Sequence, residues 1–216
     1  EMASTLAGTA TLLNENLLLK RRRQRAQKFA LTDPLTRLAN RGMGIKSLDM
    51  EVARTQRSGK PLTLLMLDLD DFKVYNDRRG HEAGNQLLKR IAGAITAACR
   101  ESDLVYRYGG DEFSLILPRT RQAGALEVAE RVRDAVRDVK GNGRRRSGIR
   151  CSVGVAAFPA DATDREELLL AADRALYAAK RAGRDRISTA ADGLALANEF
   201  VPPHTPVDEL EVAPTG

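Results

Sequence analysis

The chain has 216 residues and a formal net charge of +6, from 35 Lys and Arg against 29 Asp and Glu. That length holds one domain with a real core plus some appended chain, and 4 Tyr, 5 Phe and no Trp are too few aromatics for a base-stacking single-strand binder. No apolar run approaches the roughly 20 residues that span a bilayer and no signal peptide is recognisable. Cys99 and Cys151 make neither a disulfide framework nor a zinc spacing. The expectation is a reduced, cytoplasmic protein with no membrane span and no nucleic-acid partner.

Residues 1–31 read as one helix. Leu6, Ala10, Leu13 and Leu17 share a stripe that runs into Lys20-Arg21-Arg22-Arg23-Gln24-Arg25. Two readings stand: a solvated helix with a basic face, or a dimerising stalk below an upstream sensor domain. Basic runs can also touch acidic lipid or nucleic acid, though most simply face water. The compact domain is expected to start near Thr32-Asp33-Pro34, with Pro34 in the first turn of a helix capped by Thr32 or Asp33.

Leu62 to Leu67 is a continuous apolar run, read as a strand covered on both faces, and it ends in Asp68-Leu69-Asp70-Asp71. Leu88, Ile91, Ala92, Ile95 and Cys99 recur at helical spacing. Leu104 to Tyr108 and Phe113 to Leu117 read as strands joined through Gly109-Gly110-Asp111-Glu112 as a hairpin. Ala125, Val128, Ala129, Val132 and Val136 mark another helix. Lys140 to Gly148 is a polar loop, and Ile149, Cys151, Val153 and Val155 alternate as a strand. Asp164 with Glu167 forms a capping box for a helix carrying Leu168, Leu169, Ala172, Leu176 and Ala179. A last short strand is placed around Arg186-Ile187. From about Thr189 the pattern dissolves into a flexible tail punctuated by Pro202, Pro203, Pro206 and Pro214. The fold class is α/β (α+β), helices on a central sheet. The expected divisions are 1–31, 32–188 and 189–216.

Three clusters look chemical. Asp68, Asp70 and Asp71 crowd a strand end, where carboxylates need a cation or a partner. Mg²⁺ suits such a group, completing its shell with water and substrate phosphates; a helix N-cap cluster explains it equally well. At the hairpin, Gly109-Gly110 permits positive φ and close approach of a ligand, with Asp111, Glu112 and Arg107 beside it. One shared site would explain both acidic clusters, since two metals held by carboxylates activate a hydroxyl and steady a leaving phosphate. Lys180 and Arg184 are spaced i, i+4 and share a face if the helix persists; two cations there could grip a triphosphate, or simply complement a helix C-terminus.

The residues Gly109-Gly110-Asp111-Glu112-Phe113 spell GGDEF. Asp33 to Arg41 resembles DxLTGLxNR, and Asp68 to Gly84 resembles DxDxFKxxNDxxGHxxG. Ser152 to Ala156 and Ala178 to Arg184 match later blocks of the same pattern. Over residues 32 to about 188 the chain thus resembles the diguanylate cyclase (GGDEF) domain family. The resemblance implies a five-stranded sheet wrapped by helices, similar to the palm of nucleotidyl cyclases and polymerases. It implies condensation of two GTP into cyclic di-GMP with release of two pyrophosphates, one GTP on each subunit of a homodimer. Carried over residue by residue, Asp68, Asp111 and the Leu69 carbonyl hold Mg²⁺ (or Mn²⁺ in its place). Asp111 is also the base for the 3′-hydroxyl, and Glu112 supports the metal site. Lys73, Lys180 and Arg184 bind phosphates, Asn76 contacts guanine, and the Gly109-Gly110 backbone lies along the phosphates.

Two positions depart from the pattern. Arg37 stands where the family usually has Gly, which affects a surface turn. Asn85 stands where it most often has Asp as a second guanine contact. An amide offers one acceptor and one donor group where a carboxylate only accepts, so Asn85 either relaxes selectivity toward ATP or keeps one bond to guanine and changes nothing. The resemblance further implies a product-inhibition site: Arg100-Glu101-Ser102-Asp103 is an RxxD five residues before Gly109, and Arg131 sits where the family often adds an arginine. The alternative reading is a catalytically silent module acting as a receptor for GTP or cyclic di-GMP.

Overall fold

The computed structural model describes residues 31–141 and 147–197. The helix expected over 1–31, except its last residue, and the proline-rich end lie outside them. Among the described residues no helix is long and apolar enough to cross a membrane.

The elements follow in chain order: β1 (Ala39–Asn40), α1 (Arg41–Ser58), β2 (Leu62–Asp70), α2 (Phe72–Arg79), α3 (His81–Ala98), β3 (Leu104–Arg107), β4 (Glu112–Pro118), α4 (Gln122–Asp138), β5 (Arg150–Phe158), α5 (Arg165–Arg181), β6 (Ile187–Thr189) and α6 (Ala190–Ala197). They build one sheet in the order β1-β3-β4-β2-β5-β6. β2 lies antiparallel to both β4 and β5, while the outer pairs β1·β3 and β5·β6 are parallel. The sheet has six strands rather than five, because Ala39–Asn40 pairs with Tyr106 and Arg107. Two residues carry no readable alternation, so that strand leaves no signal in the sequence.

β2 is largely apolar up to Leu67 because helices cover both its faces. Leu65, Leu67 and Leu69 pack with Leu87, Ile91 and Ile95 of α3 and Val128, Val132 and Val136 of α4. Leu62, Leu64 and Met66 pack with Leu48 and Val52 of α1 and Leu168, Ala172 and Leu176 of α5. The period of two continues past the apolar run. Asp68 and Asp70 therefore emerge on the side that faces α5.

Two expectations are corrected at the domain edges. Pro34 opens a turn, not a helix. The Asp33 carboxylate accepts from the Thr36 N–H and hydroxyl, both at 2.7 Å, and the Arg37 N–H bonds the Asp33 carbonyl at 2.9 Å. This Asx-type closure stops helix growth and leads straight into β1. Arg37 ends the turn at φ 65°, the left-handed region that costs a side-chain-bearing residue roughly 1–2 kcal/mol. Allowing for the looser unfolded chain of a glycine variant, Arg37→Gly is expected to stabilise the fold by about 0.5–1 kcal/mol, read as a rise in thermal midpoint. A midpoint that falls instead would show that the arginine side chain holds the turn.

The second correction lies at the other end. Order continues past Thr189. Thr189 closes β6 and caps α6, where the Asp192 carboxylate accepts from the Thr189 N–H at 2.7 Å and its hydroxyl at 2.8 Å. That is a Thr-x-x-Asp start signal, and it places Ala190 in the core with α5 as neighbour. The capping box at α5 has the expected partners with one shift: Asp164 accepts from the Glu167 N–H at 2.8 Å, while Glu167 reaches back to the Thr163 N–H at 2.8 Å.

Candidate active site

The ends of β2 and β4 are direct neighbours, and Asp68 lies opposite Glu112 in their register. The Leu69 N–H donates to the Asp111 carbonyl at 3.2 Å, which ties the hairpin tip to the end of β2. Three carboxylates thus gather at one place. Burial pushes the Asp68 carboxyl above its ordinary range, and the charges of Asp111 and Glu112 add to this. Lys180 pulls the other way, its Nζ 2.8 Å from Asp68 Oδ2. The ammonium is the cation that crowded acids require. Among the described residues no group of three or more His, Cys, Asp or Glu could hold a metal by itself. Two carboxylates and a main-chain carbonyl still fit Mg²⁺, which takes few protein ligands and shares the rest of its shell with water and substrate phosphates.

The three strand-end aspartates part company. Asp68 meets Lys180. Asp70 is buried and accepts from the Ser152 hydroxyl at 2.8 Å and the Asp185 N–H at 2.9 Å. Asp71 is exposed and sits at the N-cap of α2 at φ 57°, with no side-chain cap bond.

Gly109 and Gly110 are not at positive φ, contrary to the reading of the glycine pair. Space is tight at Gly109 alone, since Gly110 has nothing within 4 Å of where a Cβ would stand. A Cβ on Gly109 would come within 2.6 Å of Glu112 Oε2. The turn is closed by the Tyr108 and Gly109 N–H groups, which both bond the Glu112 carbonyl. Its outer carbonyls go to Arg107: Nε lies 3.1 Å from both the Gly109 and Gly110 oxygens, and a terminal nitrogen lies 2.6 Å from the Gly110 oxygen. The other terminal nitrogen holds both oxygens of Asp33, at 3.0 and 3.1 Å. The buttressing pair Asp33–Arg107 was missed in the sequence. Its one signal is an arginine two residues before the glycines.

Between α2 and α3 lies a second feature. Asn76 Oδ1 is buried without a hydrogen-bond partner, an unusual condition for a buried amide oxygen. Gly84 of α3 faces it so closely that any Cβ there would collide with that oxygen. Asn85 follows on the same helix, half-buried. Lys73 stands exposed in the first turn of α2. Lys180 and Arg184 do not share a helix face, because α5 ends at Arg181. Arg184 instead stands in the following turn at φ 62°.

On the far side of the domain, the Arg100 N–H bonds Asp103 Oδ2 at 2.9 Å. Arg131 on α4 reaches the Ala98 carbonyl at 3.4 Å. Both Asp103 and Arg131 act on the Cys99 thiol, which burial first of all pushes up to about 12. Asp103 and Arg131 thus both lie near Cys99, and Arg100 joins Asp103 through its backbone N–H.

The geometry is an α/β sandwich with acids gathered at the ends of two neighbouring strands. Residues 30–186 match the family model described as "Diguanylate cyclase, GGDEF domain". The chain belongs to that family. It is 44% identical over 165 residues to the diguanylate cyclase DgcP of Pseudomonas aeruginosa, covering 74% of this chain and 24% of that protein. It is 40% identical over 158 residues to the diguanylate cyclase DosC of Escherichia coli K12, covering 72% and 34%. The chain thus spans a quarter to a third of these relatives. In structure it resembles the coiled coil and GGDEF domain of DgcB from Caulobacter crescentus, solved in complex with c-di-GMP. There the TM-score is 0.80 at 32% identity, covering 86% of this chain and 99% of that one.

Proposed function

We propose that this chain is a diguanylate cyclase that condenses two GTP into cyclic di-GMP and two pyrophosphates. The observation that carries the reading is the meeting of Asp68, Asp111 and Glu112 at one strand end, charge-compensated by Lys180. Mg²⁺, or Mn²⁺ in its place, would be held by Asp68, Asp111 and the Leu69 carbonyl, and supplies Lewis-acid charge stabilisation when bound. The orphaned Asn76 oxygen accepts from the donors on the guanine edge, and Asn85 adds one further bond there. Lys73, Lys180 and Arg184 bind phosphate oxygens, and the Gly109-Gly110 backbone lies along the triphosphate.

Asp111 takes the proton from the 3′-hydroxyl of the GTP on a second subunit. That oxygen bonds to the α-phosphorus as the bond to pyrophosphate breaks. The ring closes when the reciprocal step follows, so a homodimer is required. Residues 1–31 serve as the dimerising stalk from an upstream sensor, a reading supported by likeness to a structure that includes a coiled coil. A nucleotide triphosphate substrate fits a cytoplasmic setting.

The test is mass detection of products after nucleotide-stripped protein is incubated with GTP and Mg²⁺. Cyclic di-GMP is expected. Its absence at every protein concentration, with cyclic di-GMP still bound, would point to a receptor and overturn the reading. Arg100, Asp103 and Arg131 are the proposed site of product inhibition, since guanidinium groups suit both phosphates and the Hoogsteen edge of guanine. Arg100→Ala is expected to raise the inhibitory cyclic di-GMP concentration about tenfold with turnover otherwise unchanged. Unaltered inhibition would remove that assignment.

A further inference from the structure

We propose that Asp70 is a positioning residue for the triphosphate: it acts through Arg184, by fixing the turn that carries that arginine. The inference rests on the cyclase reading, which places Arg184 on phosphate.

The turn after α5 is unusual. Gly183, Arg184 and Asp185 stand in succession at φ 115°, 62° and 50°. Two of these have side chains, and left-handed backbone persists in such residues only when its surroundings hold it. The helix end contributes the Arg184 N–H bonded to the Ala179 carbonyl at 3.1 Å. The Gly183 N–H bonds the Lys180 carbonyl at 3.3 Å, Arg186 Nε holds the Arg184 carbonyl at 3.1 Å, and the other fixings converge on Asp185. Its N–H donates to Asp70 Oδ2 at 2.9 Å. Its carboxylate takes Arg137 at 2.8 Å and Arg150 at 3.4 Å.

Asp70 can serve as the anchor because it is itself immobile. It is 6% exposed at the end of the interior strand β2, and its other oxygen accepts from the Ser152 hydroxyl of β5 at 2.8 Å. Both oxygens are thus committed within the fold, which separates Asp70 from Asp68 two residues earlier. Among the described residues the Arg184 guanidinium has no hydrogen bond or ion pair. It lines an open cavity of about 780 Å³ that also borders Asp70, Asp71 and Asp185. The rigid carboxylate therefore sets the backbone, and the backbone sets where an unengaged guanidinium meets its anion.

The measurement is calorimetric affinity for a non-hydrolysable GTP analogue with Mg²⁺, together with KM and kcat for GTP. Asp70→Ala is expected to weaken the analogue about tenfold and to raise KM more than it lowers kcat. Asp70→Asn restores affinity to within about twofold, because an amide can accept from the Asp185 N–H and donate to Ser152 Oγ. A metal ligand would not be rescued by Asn. In an Arg184→Ala background, Asp70→Ala is expected to cost less than about twofold more, since residues acting through one another are not additive. Additive losses, or an Asn variant as weak as the Ala variant, overturn the inference. If Asp70→Ala fails to fold, Ser152→Ala carries the same non-additive prediction at smaller size. A wild type that binds no nucleotide overturns the cyclase reading and this inference with it; a wild type that binds, with additive losses, overturns the inference alone.

Discussion

Asp111→Ala is expected to lower cyclic di-GMP synthesis at least about a thousandfold, which corresponds to about 4 kcal/mol of transition-state stabilisation. Two roles fall on this one carboxylate in the proposed mechanism, base and metal ligand. Losing a metal's charge stabilisation alone is worth several kcal/mol. The same substitution should leave the fold as stable as before or slightly more so. Asp111 is half-buried at the tip of a hairpin, and it is one of two like charges that raise the Asp68 carboxyl. Removing it relieves that repulsion and leaves the Lys180–Asp68 pair in place.

The expected signature is therefore divergence: turnover collapses while the thermal midpoint holds or rises. Functional sites commonly carry such a trade-off between activity and stability. Product assays and thermal melts on the same preparation check it. A variant that keeps a tenth of wild-type turnover would remove Asp111 from both roles. A variant whose midpoint drops by several degrees would mean that Asp111 is structural, and its activity loss would then say nothing about chemistry.

How much of this was legible in the sequence follows from the range of the forces involved. The buried strand Leu62 to Leu67, the hairpin strands and the helical stripes of α3, α4 and α5 are written in local periodicity, and all of these appear in the structure. The pattern quoted at Asp33, Asp68, Gly109 and Ala178 was enough to name the family. What stayed hidden was set by partners far along the chain. Pro34 looked like a helix start because its rival, the Asp33 carboxylate closing on Thr36, is a side-chain event. α6 was lost because eight residues of modest amphipathicity mean little until they rest on α5. Asp70 and Asp68 read alike in the sequence. Only the neighbours on β5 and beyond α5 divide their tasks.

Arg107 and Asp33 are the extreme case, 74 residues apart, and their substitution should be the next most damaging. The Arg107 guanidinium draws the Gly109 and Gly110 carbonyls toward itself. A trans peptide sets its N–H opposite its carbonyl, so the Gly110 and Asp111 N–H groups are turned away from Arg107. Arg107→Ala frees the turn, and misplacement by an ångström can cost about a hundredfold; that loss of turnover is the expected result. Arg107→Lys should not rescue it, because one ammonium cannot reproduce a fork that binds both loop carbonyls and a carboxylate.

The pair also predicts a pH dependence. Burial acts to raise the Asp33 carboxyl, but hydrogen bonds from Thr36 and Arg107 outweigh it, and the group lies below the ordinary carboxylate range. A carboxyl depressed in the fold stabilises it fully above its unfolded value, about 4. That contribution is lost as pH falls through the folded value. Asp33→Asn should therefore melt below wild type by a constant margin from pH 7 to about 5, and the margin should close below about pH 4. A margin that stayed constant down to pH 3, or widened on acidification, would show that the Asp33 charge does not hold Arg107 in place.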